Sequence, residues 1–313
     1  MKRVLTAVVL VPLVLLAVFR APLWLFALLV GAVIVLALHE YLAMAEAAGI
    51  KPFKWLTYIM SVLPFVLLCI NGWPTERVYS KFSFELLFLP GWTMVLIPAA
   101  IVFGVPLVFR KDLRGGLASS AASVFGLIYI GVSLSLLVCL RADAKILVVF
   151  VLFSVWAGDI AAYYVGRSIG KHKLAPVVSP NKSWEGAIAS VIASVAVAIL
   201  VFHWKSFLLS LFANQSFGAG ATSLPKHFAL SLSFGGRVWL GDVEALNVVG
   251  LGVVTNAAAQ FGDLFESALK RGASVKDSGT ILPGHGGVLD RIDALLFAIP
   301  AVWYYATQTG LYR

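Results

Sequence analysis

Between Ser267 and Asp293 the chain reads S-A-L-K-R-G-A-S-V-K-D-S-G-T-I-L-P-G-H-G-G-V-L-D-R-I-D, with seven charged side chains and a histidine. Elsewhere the protein is greasy: 60% of all residues are hydrophobic and only 12% are charged. A charge cluster between apolar runs long enough to cross a bilayer is costly unless it has a use. Lys270, Arg271, Lys276 and Arg291 suit phosphate oxygens, and Asp263, Asp290 and Asp293 suit a hard cation. Gly284, Gly286 and Gly287 let the backbone approach a ligand closely. These residue types make up the inventory of a metal-assisted phosphoryl- or nucleotidyl-transfer site at a membrane surface.

The spacing says more. The run from Asn247 to Arg271 reads as a helix entering the membrane interface, and Asp263, Ser267 and Lys270 at i, i+4 and i+7 share one face. Asp263 either snorkels, pairs with Lys270, or faces a polar cavity as a cation ligand, and the last is favoured here. Asp290 and Asp293 lie one turn apart at the start of the last apolar run. The helix dipole alone would make carboxylates comfortable there; the glycine-rich P-G-H-G-G and Arg291 beside them point to more than capping. Mg2+ typically takes one or two carboxylates and completes its octahedron with water and phosphate. Three aspartates meet that need and suffice for two cations.

Asp159, in A-G-D-I-A-A-Y-Y-V-G, is the most deeply placed acid, and Tyr163 one turn on is placed to orient it. An intramembrane ionisable group is a functional candidate, with a structural ion pair as the alternative. In S-P-N-K-S-W-E-G (179–186), Ser179 followed by Pro180 has the form of an N-cap with Pro at N1. That would set Lys182 and Ser183 at a helix N-terminus, a natural anion site; an ordinary cap and turn is the plainer reading. His285 has three readings: general acid, phosphate donor, or structural loop residue.

The elements that must position these groups are membrane helices. Mean hydropathy is +0.94, which leaves too little polar surface for a soluble globule. Nine apolar runs predict an all-α integral membrane protein with about nine transmembrane helices, near 4–19, 22–47, 55–71, 86–109, 118–140, 145–166, 187–203, 246–265 and 293–309. Segment 206–235, broken by Asn214, Gly218, Gly220 and Pro225, is expected to be an outer loop, with room for a short interfacial helix. Most of the 24 Lys and Arg residues fall on one side if the N-terminus is cytoplasmic, so the topology is N-in/C-out. The loops 167–186 and 266–292 then share the cytoplasmic side. The N-terminal run imitates a signal peptide, but Arg20 and the apolar run after it favour an uncleaved span. The net charge of +9 is scattered over short loops with no basic, aromatic-laced stripe, which argues against nucleic acid as a partner. Cys69 and Cys139 lie inside apolar runs and read as small hydrophobes. By chemistry the chain divides into residues 1–140, helices of a scaffold that could dimerise, and 141–313, the catalytic region. His39, Glu40 and Glu46 are the exceptions in the first part.

At this point the order S-x-L-K-R, K-D-x-G, L-P-x-H-G-G-V-x-D-R-I-D, from Ser267 to Asp293, resembles the signature of the phosphatidate cytidylyltransferases, the CDP-diacylglycerol synthases. The segments D-I-A-A-Y-Y-V-G-R (159–167) and S-P-N-K-S-W-E-G are similar to further family segments. The second departs at Asn181 and Ser183, where Lys and Thr are more usual; Ser183 keeps the hydroxyl and Asn181 loses a charge. The resemblance covers about residues 150–300 and implies CTP and phosphatidate as substrates, Mg2+ as cofactor, a second monovalent cation such as K+, and a homodimer. It implies Asp263, Asp290 and Asp293 as metal ligands, with Lys270 joining them in catalysis. Ser267, Lys270, Arg271, Lys276 and Lys182 would contact phosphates, and Asp159, Ser179, Ser183, Asp277, His285 and Arg291 complete the expected substrate site. A bacterial cytoplasmic (inner) membrane is the expected location. The rivals are a CTP-dependent lipid kinase, against which the long motif speaks, and a secondary transporter, for which no internal repeat is found.

Overall fold

The computed structural model describes residues 2–70, 90–109, 115–205, 207–208, 230–232, 238–240, 243–281 and 286–311. Gly284, His285 and most of the 206–235 segment lie outside these residues.

Helices α1 (Lys2–Phe19), α2 (Leu23–Ala47), α3 (Lys54–Ile70) and α4 (Pro90–Phe109) form the first part of the chain. Then α5 (Gly116–Gly126) runs through one π-helical segment, Leu127–Val132, into α6 (Ser133–Asp143). The second part of the chain holds α7 (Lys145–Ile169), α8 (Trp184–His203), α9 (Ala245–Gly272) and α10 (Leu289–Thr309). Among the described residues a helix overlaps each of the nine apolar runs. Among the described residues five segments, Leu23–Ala47, Gly116–Asp143, Lys145–Ile169, Trp184–His203 and Ala245–Gly272, are long and apolar enough to cross a membrane. The protein is an all-α multi-pass membrane protein, and its described strands are short. β1 (Lys173–Ala175) pairs antiparallel with β2 (Ser179–Ser183), and β3 (Leu230–Leu232), β4 (Val238–Leu240) and β5 (Val243–Glu244) form a second small sheet.

Helix α8 shows how the bundle is packed. Ser190 and Ser194 are buried, whereas Ile188 and Ile192 are exposed. Lipid is as apolar as isoleucine, so association in a bilayer is driven by close packing and interhelical hydrogen bonds, and small polar residues turn inward. Asn256 of α9 donates to Ser190 Oγ at 2.8 Å and Ser194 Oγ at 2.7 Å, and Ser194 donates to the Ser154 carbonyl of α7 at 3.0 Å. Gln260 adds a bond to the Ala187 carbonyl at 3.1 Å. A β-carbon at Gly158 would stand 2.7 Å from Asn256 Nδ2, so glycine admits this polar seam.

The first part of the chain is fastened to α9 and α10 by aromatic rings. Tyr129, in the π-helical segment, lies 5.5 Å from both Phe265 of α9 and Phe297 of α10, and Phe125 stacks on Tyr129 at 5.1 Å. Tyr41 of α2 borders the group and donates to the Ala122 carbonyl at 3.0 Å. Such ring pairs contribute about 0.5–1.5 kcal/mol each beyond burial.

Candidate active site

Helices α9 and α10 cross where side chains are smallest. A β-carbon at Gly262 would lie 2.6 Å from the Asp293 carbonyl oxygen and 3.3 Å from Ala294 Cα. Any larger residue forces the two backbones apart, so this glycine sets Asp263 beside Asp293. Asp159 of α7 completes a group of three carboxylates within electrostatic reach of one another. Asp293 accepts from the Ala294 N–H at 2.8 Å.

Two lysines answer these acids. Lys182 reaches Asp263 Oδ2 at 2.6 Å from the β1–β2 hairpin, and Ser267 donates to Asp263 Oδ1 at 3.5 Å. The partner of Asp263 is therefore Lys182 on another element, while Lys270 turns to Asp290 Oδ1 at 2.7 Å and Glu266 Oε2 at 2.5 Å. Asp290 Oδ2 accepts the N–H groups of Ser278 at 3.0 Å and Gly287 at 2.8 Å. Gly286 adopts φ +79°, a left-handed turn that glycine takes without strain, and brings the loop onto this carboxylate. Arg271, Lys276, Asp277 and Arg291 are exposed, next in sequence to these groups.

The hairpin corrects one expectation. Ser179 is not the helix cap: Ser179–Ser183 is an extended strand whose Ser179 pairs with Ala175 and whose Ser183 pairs with Lys173. Ser183, at φ −128° and ψ 156°, is the N-cap of α8, and its Oγ accepts from the Gly186 N–H at 3.2 Å. Glu185 clips the hairpin to the helix by accepting from His172 Nδ1 at 2.7 Å. Lys182, one residue before the cap, is thereby aimed at α9.

A model of the cytidylyltransferase family matches residues 1–308 of the chain. The chain belongs to the cytidylyltransferase family. This cytidylyltransferase is 32% identical over 314 aligned residues to a Haemophilus influenzae protein named phosphatidate cytidylyltransferase, with 97% of each chain covered. Proteins of the same name are 31% identical in Brucella suis, covering 80% of this chain and 87% of the relative, and 33% identical in Staphylococcus haemolyticus, covering 60% and 59%.

Three groups of this candidate site are missing from the site residues expected by type and spacing. Glu266 is fully buried under Lys270. Ser278 joins the loop to Asp290. Glu40, from α2, accepts hydrogen bonds from Ser278, Val288 and Leu289. Glu266 is visible in sequence as the i−4 partner of Lys270; Glu40 stands out only as an acid near the end of an apolar run, with nothing local to tie it to this loop. Among the described residues no three His, Cys, Asp or Glu side chains stand close enough to form a preassembled metal cage.

Proposed function

We propose that this cytidylyltransferase transfers CMP from CTP to phosphatidate, giving CDP-diacylglycerol and pyrophosphate for phospholipid synthesis. The observation that carries the proposal is the similarity, over 97% of both chains, to a protein named for that activity. The side chains agree with it. A phosphatidate oxygen attacks the α-phosphorus of CTP, forming a P–O–P bond, while the bond from that phosphorus to the bridging oxygen breaks and pyrophosphate leaves. The nucleophile is already an anion, so no general base is required. Bringing two polyanions together is the main obstacle, and charge neutralisation with positioning is the remedy. Lys182 and Lys270, held beside carboxylates, exchange part of that contact for phosphate oxygens, with Ser267, Arg271, Lys276 and Arg291 nearby.

Asp263 and Asp293 fit Mg2+, because two hard carboxylates from crossing helices leave positions for water and phosphate. Bound there, Mg2+ supplies positive charge to the phosphate oxygens. Asp290, whose two oxygens already accept from Lys270, Ser278 and Gly287, serves instead to hold that lysine and the loop. Asp159 is the carboxylate left for a second, monovalent cation such as K+. The active site faces the cytoplasm in an N-in/C-out chain of a bacterial inner membrane, as the basic loops favour, and the enzyme works as a homodimer.

The test uses detergent-purified protein, phosphatidate, Mg2+ and CTP labelled separately at the α and γ phosphates. Lipid carrying α label, with pyrophosphate released, supports the proposal. Label only from the γ position, with CDP released, or no labelled lipid from folded protein, overturns it.

A further inference from the structure

Glu40 sits near the end of α2 and is 2% exposed. Its Oε1 accepts the Val288 N–H at 2.9 Å, and its Oε2 accepts the Leu289 N–H at 2.8 Å and the Ser278 hydroxyl at 3.1 Å. Those donors are the first N–H groups of α10 and a hydroxyl, so the carboxylate lies against the positive end of a helix dipole. The connection runs on into the site. Ser278 Oγ accepts the Asp290 N–H at 3.3 Å, and the Ser278 N–H donates to Asp290 Oδ2. Asp290 in turn holds Lys270.

The surrounding backbone is shaped for this side chain. A β-carbon at Gly279 would lie 2.5 Å from Glu40 Oε1, and one at Gly287 would overlap both the Glu40 carboxylate and Ser278 Oγ. Two loop glycines therefore close over a carboxylate that comes from a helix more than 200 positions earlier in sequence. A buried carboxylate is expensive to desolvate unless each oxygen is met by donors. Here both are met, and every donor belongs to the segment carrying Asp290.

We infer that Glu40 is a positioning residue: it fixes Ser278 and the α10 N-terminus so that Asp290 presents Lys270 to substrate phosphate. The inference rests on the reaction proposed above. It gives the first part of the chain a part in setting catalytic geometry. Glutamine at this position keeps one acceptor oxygen but turns an NH2 group toward donors, so one side of the clasp opens with little change of volume.

The experiment compares Glu40→Gln with Tyr41→Phe, which removes a neighbouring buried hydrogen bond without touching the loop. Rates of CMP transfer and KM for CTP are measured, with hydrogen–deuterium exchange across 278–290 and α8. We expect Glu40→Gln to lower kcat by about 10–100-fold, the scale of a lost outer-shell partner. KM should change little, exchange should rise in 278–290 and not in α8, and Tyr41→Phe should do neither. Combining Glu40→Gln with Ser278→Ala should give a rate within about twofold of the slower single variant, because the two act as one unit. If Glu40→Gln does not fold, Gly279→Ala, which pushes on Oε1, is read in the same way. Wild-type kcat with unchanged exchange in 278–290 would overturn the assignment, as would a loss of rate that only tracks a loss of stability in both Glu40→Gln and Tyr41→Phe. If the wild-type protein transfers no CMP yet Glu40→Gln still loosens 278–290, the proposed reaction fails and the clasp stands.

Discussion

Replacing Lys270 by methionine keeps most of its volume and removes the cation that serves two carboxylates. Its Nζ contacts Asp290 at 2.7 Å and Glu266 at 2.5 Å, with side-chain exposures of 14% for Lys270, 9% for Asp290 and 0% for Glu266. With lysine present the two carboxylates share a cation; without it that cation is gone from both. Breaking a buried pair by removing one partner costs about 3–5 kcal/mol, because a charge is left uncompensated. Asp290 keeps the N–H groups of Ser278 and Gly287, so most of the cost falls on Glu266, which loses its cation. Lys270→Met should therefore be destabilised by about 3–5 kcal/mol, and adding Glu266→Gln should recover about 1–3 kcal/mol. The assay is reversible unfolding in mixed micelles of mild detergent and SDS, followed by circular dichroism. CMP transfer should be lost in the single and the double variant alike, since neither can neutralise phosphate through Lys270. Stability within about 1 kcal/mol of wild type for Lys270→Met, below the range for a broken buried pair, or no recovery on adding Glu266→Gln, would refute the reasoning.

Asp293→Asn and Asp290→Asn should both slow CMP transfer but differ otherwise. Asp293→Asn should raise the Mg2+ concentration needed for half-activity with an unchanged loop. Asp290→Asn should raise hydrogen exchange at Ser278 and Gly287, whose N–H groups it holds, and equal behaviour in both assays would count against separate roles. Ser183→Ala should cost about 0.5–2 kcal/mol as a lost N-cap, with Ser183→Gly milder; unfolding in micelles reads the difference. Asn256→Leu should cost about 0.6–2 kcal/mol, by stranding Ser190 and Ser194 between helices, and a stability equal to wild type would show that the seam contributes nothing.

Hydropathy is enough to find the helices because a bilayer demands long apolar runs with satisfied backbones. It does not fix their ends: α9 continues to Gly272 and α10 starts at Leu289, since charged residues extend a helix into the headgroup layer without an apolar signal. The residues between Ser267 and Asp293 are legible by type, and Lys270 and Asp290 do meet. Their pairing is not legible, because Asp263 and Asp290 are equivalent candidates until the crossing at Gly262 is known. Ser179 followed by Pro180 satisfies the local rule for a helix start, but strand pairing with Lys173–Ala175 overrides it and moves the cap to Ser183. Glu40 stands out beside His39 and Glu46 as an acid at the end of an apolar run, but its partners are remote in sequence and nothing local gives their address.

The length of α9 has a consequence for how a lipid reaches the site. Its 28 residues span about 42 Å at 1.5 Å per residue, more than the roughly 30 Å of a hydrocarbon core. Asp263 lies about 27 Å along from Ala245 on the same rise, so with Ala245 at one edge of that core the carboxylates and lysines would begin near the other. A phosphate reacting at that height would already be at its resting depth in the leaflet. The phosphatidate of the proposed reaction would then have only to diffuse sideways, and its tails, each methylene of which would cost about 0.8 kcal/mol to bring into water, would stay in the oil throughout.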